Sequence, residues 1–289
     1  MGQRIAIVTD STADFPKGVA QKLGIHFVPV HIDIDGMHYL DGVTITSDQL
    51  VARMHQGSHP TTRPGTPAEY AEIFETLLHK KGYDRILSFQ LSSKLSDCYN
   101  SAQNALSLLS AEDARKVEVF DTGTLSIGQA VYTILAIRYI RTHGSLAGMK
   151  ESLDTIMASS INNITVNNLS WLRKSGALGA IPAMVGTMLD IKPIIALKEG
   201  SLKMVNRVRG MKETLDEMAS YGKRKKEDHI WEVWVAHCDA EENAFYLRDR
   251  LARALGKEIR SIRIVEAGAS ISVKLGPGSC CWGMIPYQL

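Results

Sequence analysis

Three times in the first 125 residues, an apolar run ends in a turn of small polar residues and gives way to a helical pattern. Arg4 to Thr9 carries Ile5, Ala6, Ile7 and Val8 unbroken, as a strand buried on both faces does. It runs into Asp10-Ser11-Thr12-Ala13-Asp14-Phe15-Pro16, where the proline suits the first turn of a helix. Arg85 to Phe89 ends at Leu91-Ser92-Ser93, ahead of a stripe of Leu95, Tyr99, Ala102, Leu106 and Leu109 at helical spacing. Lys116 to Phe120 ends at Asp121-Thr122-Gly123-Thr124, ahead of a helix over Leu125 to Ile140. Alternating strand–helix units of this length predict a doubly wound parallel sheet. Ligands of such sheets sit outside the carboxyl ends of the strands, so the three turns converge on one edge as a candidate site.

Each turn has a second, purely structural reading. Ser93 sits where a helix N-terminus would offer N–H groups to an anion, and equally where an N-cap belongs. Asp10 and Ser11 either serve a ligand or brace their own turn. Between the first two units, Ile25 to Ile34 has strand character and Thr46 to His55 reads as a helix capped at Ser47. Gly57 to Pro67 holds three prolines and two glycines, which make it a shaped loop carrying Thr61, Thr62 and Arg63 as donors. Pro67 to Lys80 follows as an amphipathic helix.

Beyond about Ser159 the pattern changes. Ile191 to Leu197 and Ser201 to Val208 form a hairpin across Glu199-Gly200; Leu169 to Leu178 and the apolar run Met184 to Leu189 precede it. A helix from Met211, a strand Ile230 to His237, a helix Glu241 to Leu255 and a strand Ser261 to Val265 complete a mixed unit. Lys274-Leu275-Gly276-Pro277-Gly278 then forms a turn whose special backbone either approaches a ligand or simply reverses the chain. The expected architecture is α/β with two domains. Residues 1–159 form an N-terminal three-layer α/β/α parallel sheet and residues 160–289 a C-terminal mixed-sheet α/β domain.

A net charge of +2 gives no electrostatic reason to expect nucleic acid. No apolar run approaches the ~20 residues that span a bilayer, so stable membrane insertion is not expected. The chain enters its first strand with no signal peptide ahead of it, which predicts a cytoplasmic protein. Cys98, Cys238, Cys280 and Cys281 lack metal-ligand spacing and read as reduced thiols. Lys223 to Lys226 reads as a solvated helix end. Nucleophile elbow, Walker A loop, dinucleotide fingerprint and zinc motif are all missing. The residues at the strand ends are mostly hydroxyl donors, suited to holding an anion rather than attacking one.

Eight pieces in order along the whole chain carry a resemblance. They are Ile7 to Asp14, Thr61-Thr62-Arg63-Pro64, Leu91 to Ser96 with Tyr99 and Ser101-Ala102, Val119 to Thr122, Leu172 to Gly176, Leu189 to Ile194, Val208 to Lys212, and Leu275 to Gly278. In these the chain resembles the bacterial DegV family, of the fatty-acid-binding subunit type that serves fatty acid kinase. The resemblance implies one long-chain fatty acid held between two domains, no cofactor beyond that ligand, no metal and no catalytic residue. It carries the carboxylate-binding role onto Ser93 and Thr61, with Ser92 and Thr62 beside them. It places Arg209 at the pocket mouth for phosphotransfer. Lys274 stands where the family has a histidine, and Asp10, Ser11, Asp121 and Thr122 supply supporting polar loops. A separate kinase subunit would phosphorylate the presented carboxylate. Departures are Arg63 where glutamine is usual, an extra residue before Pro67, Ala177 where a second arginine is common, and the pair Cys280-Cys281. The alternative is an enzyme acting on a small phosphorylated metabolite, with Asp10, Asp121 or Lys274 as acid–base groups.

Overall fold

The computed structural model describes residues 3–174, 190–225 and 229–287. The first half runs β1 (Ile5–Asp10), α1 (Val19–Leu23), β2 (Ile25–Val28), β3 (His31–Ile34), β4 (Met37–Leu40), α2 (Ser47–His55), β5 (Thr61–Arg63), α3 (Pro67–Glu75), β6 (Arg85–Gln90), α4 (Cys98–Ala105), α5 (Ala111–Ala114), β7 (Val117–Asp121), α6 (Ile127–His143) and α7 (Met149–Ala158). The second runs β8 (Ile161–Thr165), α8 (Leu169–Lys174), β9 (Ile191–Lys198), β10 (Ser201–Arg209), α9 (Met211–Lys225), β11 (Trp231–Cys238), α10 (Glu241–Leu255), β12 (Ile259–Glu266), α11 (Ala269–Leu275) and β13 (Ser279–Pro286).

The first sheet has the order β2-β1-β6-β7 and is parallel throughout. Its unbroken apolar strands serve two faces at once. Ala6 and Val8 pack with Tyr70 and Phe74 of α3 and Ala102 of α4, while Ile7, Leu87 and Phe89 pack with Val131 and Leu135 of α6. The second sheet has the order β10-β9-β8-β13-β11-β12, antiparallel except for the β11–β12 pair. Its inner face (Ile164, Trp234, Cys281, Ile285) joins the α6 cluster, and its outer face packs on α9 and α10. Helices and sheets thus alternate in five layers. The central helix α6 is buried on nearly every side, from Ile127 to Ile137, as a helix between two sheets must be. The α/β class, with a parallel sheet and a mixed sheet, is as the strand pattern predicts.

Local differences have local causes. The strand expected over Ile25 to Ile34 is broken at Pro29, which has no N–H to give a ladder. Its first half joins the parallel sheet, and its second half builds a separate sheet of order β4-β3-β5. Helix α2 is capped by Thr46 rather than Ser47, in a capping box with Gln49. The helix expected from Leu95 begins only at Cys98, because Ser92 to Ser96 is a turn tied down by side-chain bonds. Among the described residues, all four cysteines are free and buried. The apolar run Met184 to Leu189, the end of the stretch Leu169 to Leu178 and Lys226 of the basic run lie outside the described residues.

Candidate functional site

The carboxyl ends of β1, β6 and β7 do converge, and most of their polar side chains are spent on one another. The Asp10 carboxylate is buried. It accepts from the amides of Thr12 (2.9 Å) and Leu91 (3.0 Å), from Gln129 Nε2 (2.9 Å) and from the Thr12 hydroxyl. Burial raises its pKa against the pull of these four donors. Ser11 donates to Asp41 (2.8 Å) and accepts from the Val30 amide (2.9 Å). Asp14 accepts from the Ser126 hydroxyl and from the Gly268 amide (2.7 Å), and burial pushes it up to about 7. These bonds stitch the strand-end loops to α6 and to the entry of α11.

The Ser-Ser turn does similar work. Ser92 is buried and donates to the Gly200 carbonyl (2.8 Å), and Lys94 Nζ donates to the Glu199 carbonyl (2.7 Å). The Ser93 hydroxyl and amide both donate to Asp121, which also accepts from the Gly123 amide (2.8 Å). Thr122 donates to the Gln90 carbonyl (2.8 Å). The turn therefore clasps the tip of the β9–β10 hairpin. Glu199 and Gly200 both have positive φ (50° and 76°), as a type I′ turn requires.

Beside this clasp lies a cavity of about 430 Å³ whose wall includes Thr12, Thr62, Arg63, Lys94, Ser96 and Lys274. Asp97 and the apolar side chains of Leu91, Leu95, Leu125, Leu172 and Ile271 share it. Strand β5, the turn before α4 and helix α11 bring most of these groups together. Strand β5 pairs with β3 and so presents Thr62 opposite Ile32. Arg63 is held by Asp33 (2.9 Å), whose carboxyl Arg63 and His38 keep down at about 2. Ser96 lies just before α4, whose leading N–H groups add positive potential; its own hydroxyl donates only to Cys98 Sγ (3.3 Å), a weak acceptor. Lys274 is half-buried on α11, and burial lowers its pKa from the usual lysine value.

Behind Leu125 and Leu275, which line both spaces, a narrow apolar cavity of about 50 Å³ runs between the start of α6 and the second sheet. Val131, Met157, Ile164, Trp234, Cys281 and Ile285 form its sides. Gly128 and Gly283 also line it, and on Gly128 a Cβ would collide with the Thr124 hydroxyl at 2.0 Å.

Of the residues nominated from sequence, Thr62 and Lys274 line the mouth cavity. Ser92, Ser93, Asp10, Ser11, Asp121 and Thr122 are bonded within the surrounding loops, as described. Thr61 is an exposed neighbour of Thr62 on β5, paired with Asp33. Arg209 is exposed at the end of β10, opposite Ile191. Ser175, Gly176 and Ala177 lie outside the described residues. Sequence reading passed over Ser96, three residues beyond the serine it chose, and the tunnel glycines; only the loss of Leu95 to Asp97 from the helix would have marked that serine. Among the described residues no group of three or more potential metal ligands occurs, and no helix is long and apolar enough to cross a membrane.

The α/β fold thus sets a polar mouth at the strand ends beside an apolar slot between its layers, the two sharing Leu125 and Leu275. The chain belongs to the DegV family, whose model matches residues 4–286. A DegV domain-containing protein of Caldanaerobacter subterraneus is 32% identical over 281 residues, covering 95% of this chain and 96% of the relative. One from Deinococcus radiodurans is 30% identical over 278 residues, with 95% and 96% covered. Among solved structures, a fatty-acid-binding DegV family protein from Thermus thermophilus superposes with a TM-score of 0.89 at 27% identity, covering 99% of this chain and all of that one. A stearic acid-binding protein from Eubacterium ventriosum gives 0.87 at 26% identity, with 98% of each chain covered.

Proposed function

We propose that this protein binds one long-chain fatty acid between its parallel and its mixed sheet, the cores of two domains, and presents the carboxylate to a fatty acid kinase. The observation that carries the reading is a polar, cationic mouth set directly against an apolar slot, the two sharing the wall of Leu125 and Leu275. Each methylene moved from water into the slot contributes about 0.8 kcal/mol, so the tail supplies the affinity. The carboxylate still needs partners. Thr62, Ser96 and the start of α4 offer them, with Lys274 and Arg63 as nearby cations and Asp97 as the opposing charge. Solved relatives that bind fatty acids support the ligand class. The alternative, an acid–base enzyme for a phosphorylated metabolite, is not favoured: Asp10 is enclosed by four donors and Asp121 is engaged by Ser93 and Gly123. Phosphoryl transfer then belongs to a separate cytoplasmic kinase subunit, with Arg209 at its docking edge.

Native mass spectrometry of the purified protein, before and after lipid extraction, tests the ligand. One fatty acid per chain is the expected result; a protein that carries none and takes up neither oleate nor palmitate would end the proposal. Ser96→Ala is expected to weaken oleate binding by about tenfold, the net worth of one hydrogen bond to a charged group. A larger loss in Ser93→Ala would place the carboxylate on the Ser-Ser turn instead. Arg209→Ala should leave oleate affinity unchanged and slow acyl phosphate formation by the cognate kinase; an unaltered rate removes the residue from that role.

A further inference from the structure

The apolar slot does not end in packed core. Six residues that line it, Thr124, Met157, Ser160, Ile161, Asn162 and Leu197, also line a third cavity of about 560 Å³. That space lies on the far side of the Ser92–Gly200 clasp from the mouth: Lys94 walls the mouth, and its partner Glu199 walls this vestibule. Its remaining groups include Thr122, Asp154, Lys198, Glu199 and Tyr221. Ser160 donates to the Met157 carbonyl (2.6 Å) and Asn162 Oδ1 accepts from the Leu197 amide (2.7 Å), so both side chains at the junction are already ordered there. Asp154 is engaged by the Tyr132 hydroxyl (3.1 Å) and by Lys150.

We infer that the tail end of the bound acyl chain reaches this polar vestibule, so that the ligand class extends to fatty acids carrying a hydroxyl at the far end of the chain. The inference rests on the fatty-acid reading and deepens it. A closed, dry tunnel rejects a terminal hydroxyl, because the group loses its water and finds no partner, at a cost of about tenfold or more in affinity. A tunnel that empties into wet space lined by hydroxyl, amide and carboxylate groups imposes no such loss.

The test compares affinities, by displacement of a fluorescent fatty acid from the delipidated full chain, for palmitate, stearate and the terminally hydroxylated form of each. The expected result is that at least one hydroxylated acid binds within about threefold of its parent. Ala158 lines the vestibule but not the slot and is exposed on α7, so Ala158→Trp should fold. That variant should weaken the hydroxylated acid by about tenfold while leaving its parent within about twofold. If the parents bind and both hydroxylated acids lose tenfold or more, the vestibule is not reached and this inference falls while the fatty-acid reading stands. Failure of palmitate and stearate themselves to bind would overturn both.

Discussion

Gly200 shows how much of this protein rests on single atoms. Its φ of 76° suits glycine, and a Cβ there would stand 2.8 Å from the Ser92 hydroxyl that donates to its carbonyl. Gly200→Ala is therefore expected to cost about 1–3 kcal/mol in thermal or urea unfolding. Combining it with Ser92→Ala should recover part of that loss, since the clash partner is gone; strictly additive losses would mean that the clasp is not the cause. Asp14 makes a second residue-scale prediction. Its carboxyl is raised by burial to about 7 from a usual 3.8. The fold then binds this proton more tightly than the unfolded chain does, so the contribution of Asp14 to stability is fully present below about pH 4 and declines as pH rises from about 4 to about 7. Relative to wild type, Asp14→Asn should flatten the fall of Tm across that window; parallel curves for the two proteins would refute it.

At the scale of elements, side-chain bonds decide where helices and strands begin. The strand expected from Ile25 to Ile34 divides because Pro29 cannot donate and Val30 gives its N–H to Ser11. That division frees β3 to recruit β5, and with β5 comes Thr62 at the mouth. Helix α2 packs Leu50 and Met54 against Ala269 and Val273 of α11, so its start also steadies the element that carries Lys274. Thr46→Ala removes the capping box and should cost about 1 kcal/mol in unfolding experiments. A loss no larger than that of an exposed mid-helix alanine would show that the cap contributes nothing to the fold.

On the scale of the whole molecule, five alternating layers leave a slot between α6 and the second sheet, where apolar side chains do not quite meet. Its volume of about 50 Å³ means that a long chain must push the walls apart, a cost repaid by its buried methylenes. Ligand binding should then stabilise the protein as a unit. At a hundredfold excess over Kd, oleate is expected to add about 2.7 kcal/mol, or roughly 4–5 °C in Tm, to the delipidated chain. An unchanged Tm with confirmed binding would mean that the unfolded chain binds the lipid equally well.

The amino-acid order by itself determined the α/β class, the parallel first sheet, the β9–β10 hairpin and the convergence of polar turns on one edge. These follow from local rules: apolar period, turn chemistry and the direction of strand–helix units. The family resemblance was equally legible, because it rests on short motifs read in order. What only the tertiary structure decided is the partner of each polar group. Ser92, Ser93 and Asp10 look alike to a ligand and to a neighbouring loop, and here they are bonded to Gly200, Asp121 and Gln129, which lie up to 119 positions away in sequence. Ser96, Thr62 and Lys274 meet at the mouth because three distant elements cross there, and the slot exists because two sheets close on one helix. A hydroxyl bonds whatever donor or acceptor the fold brings within 3 Å, and the sequence around it does not encode that distance.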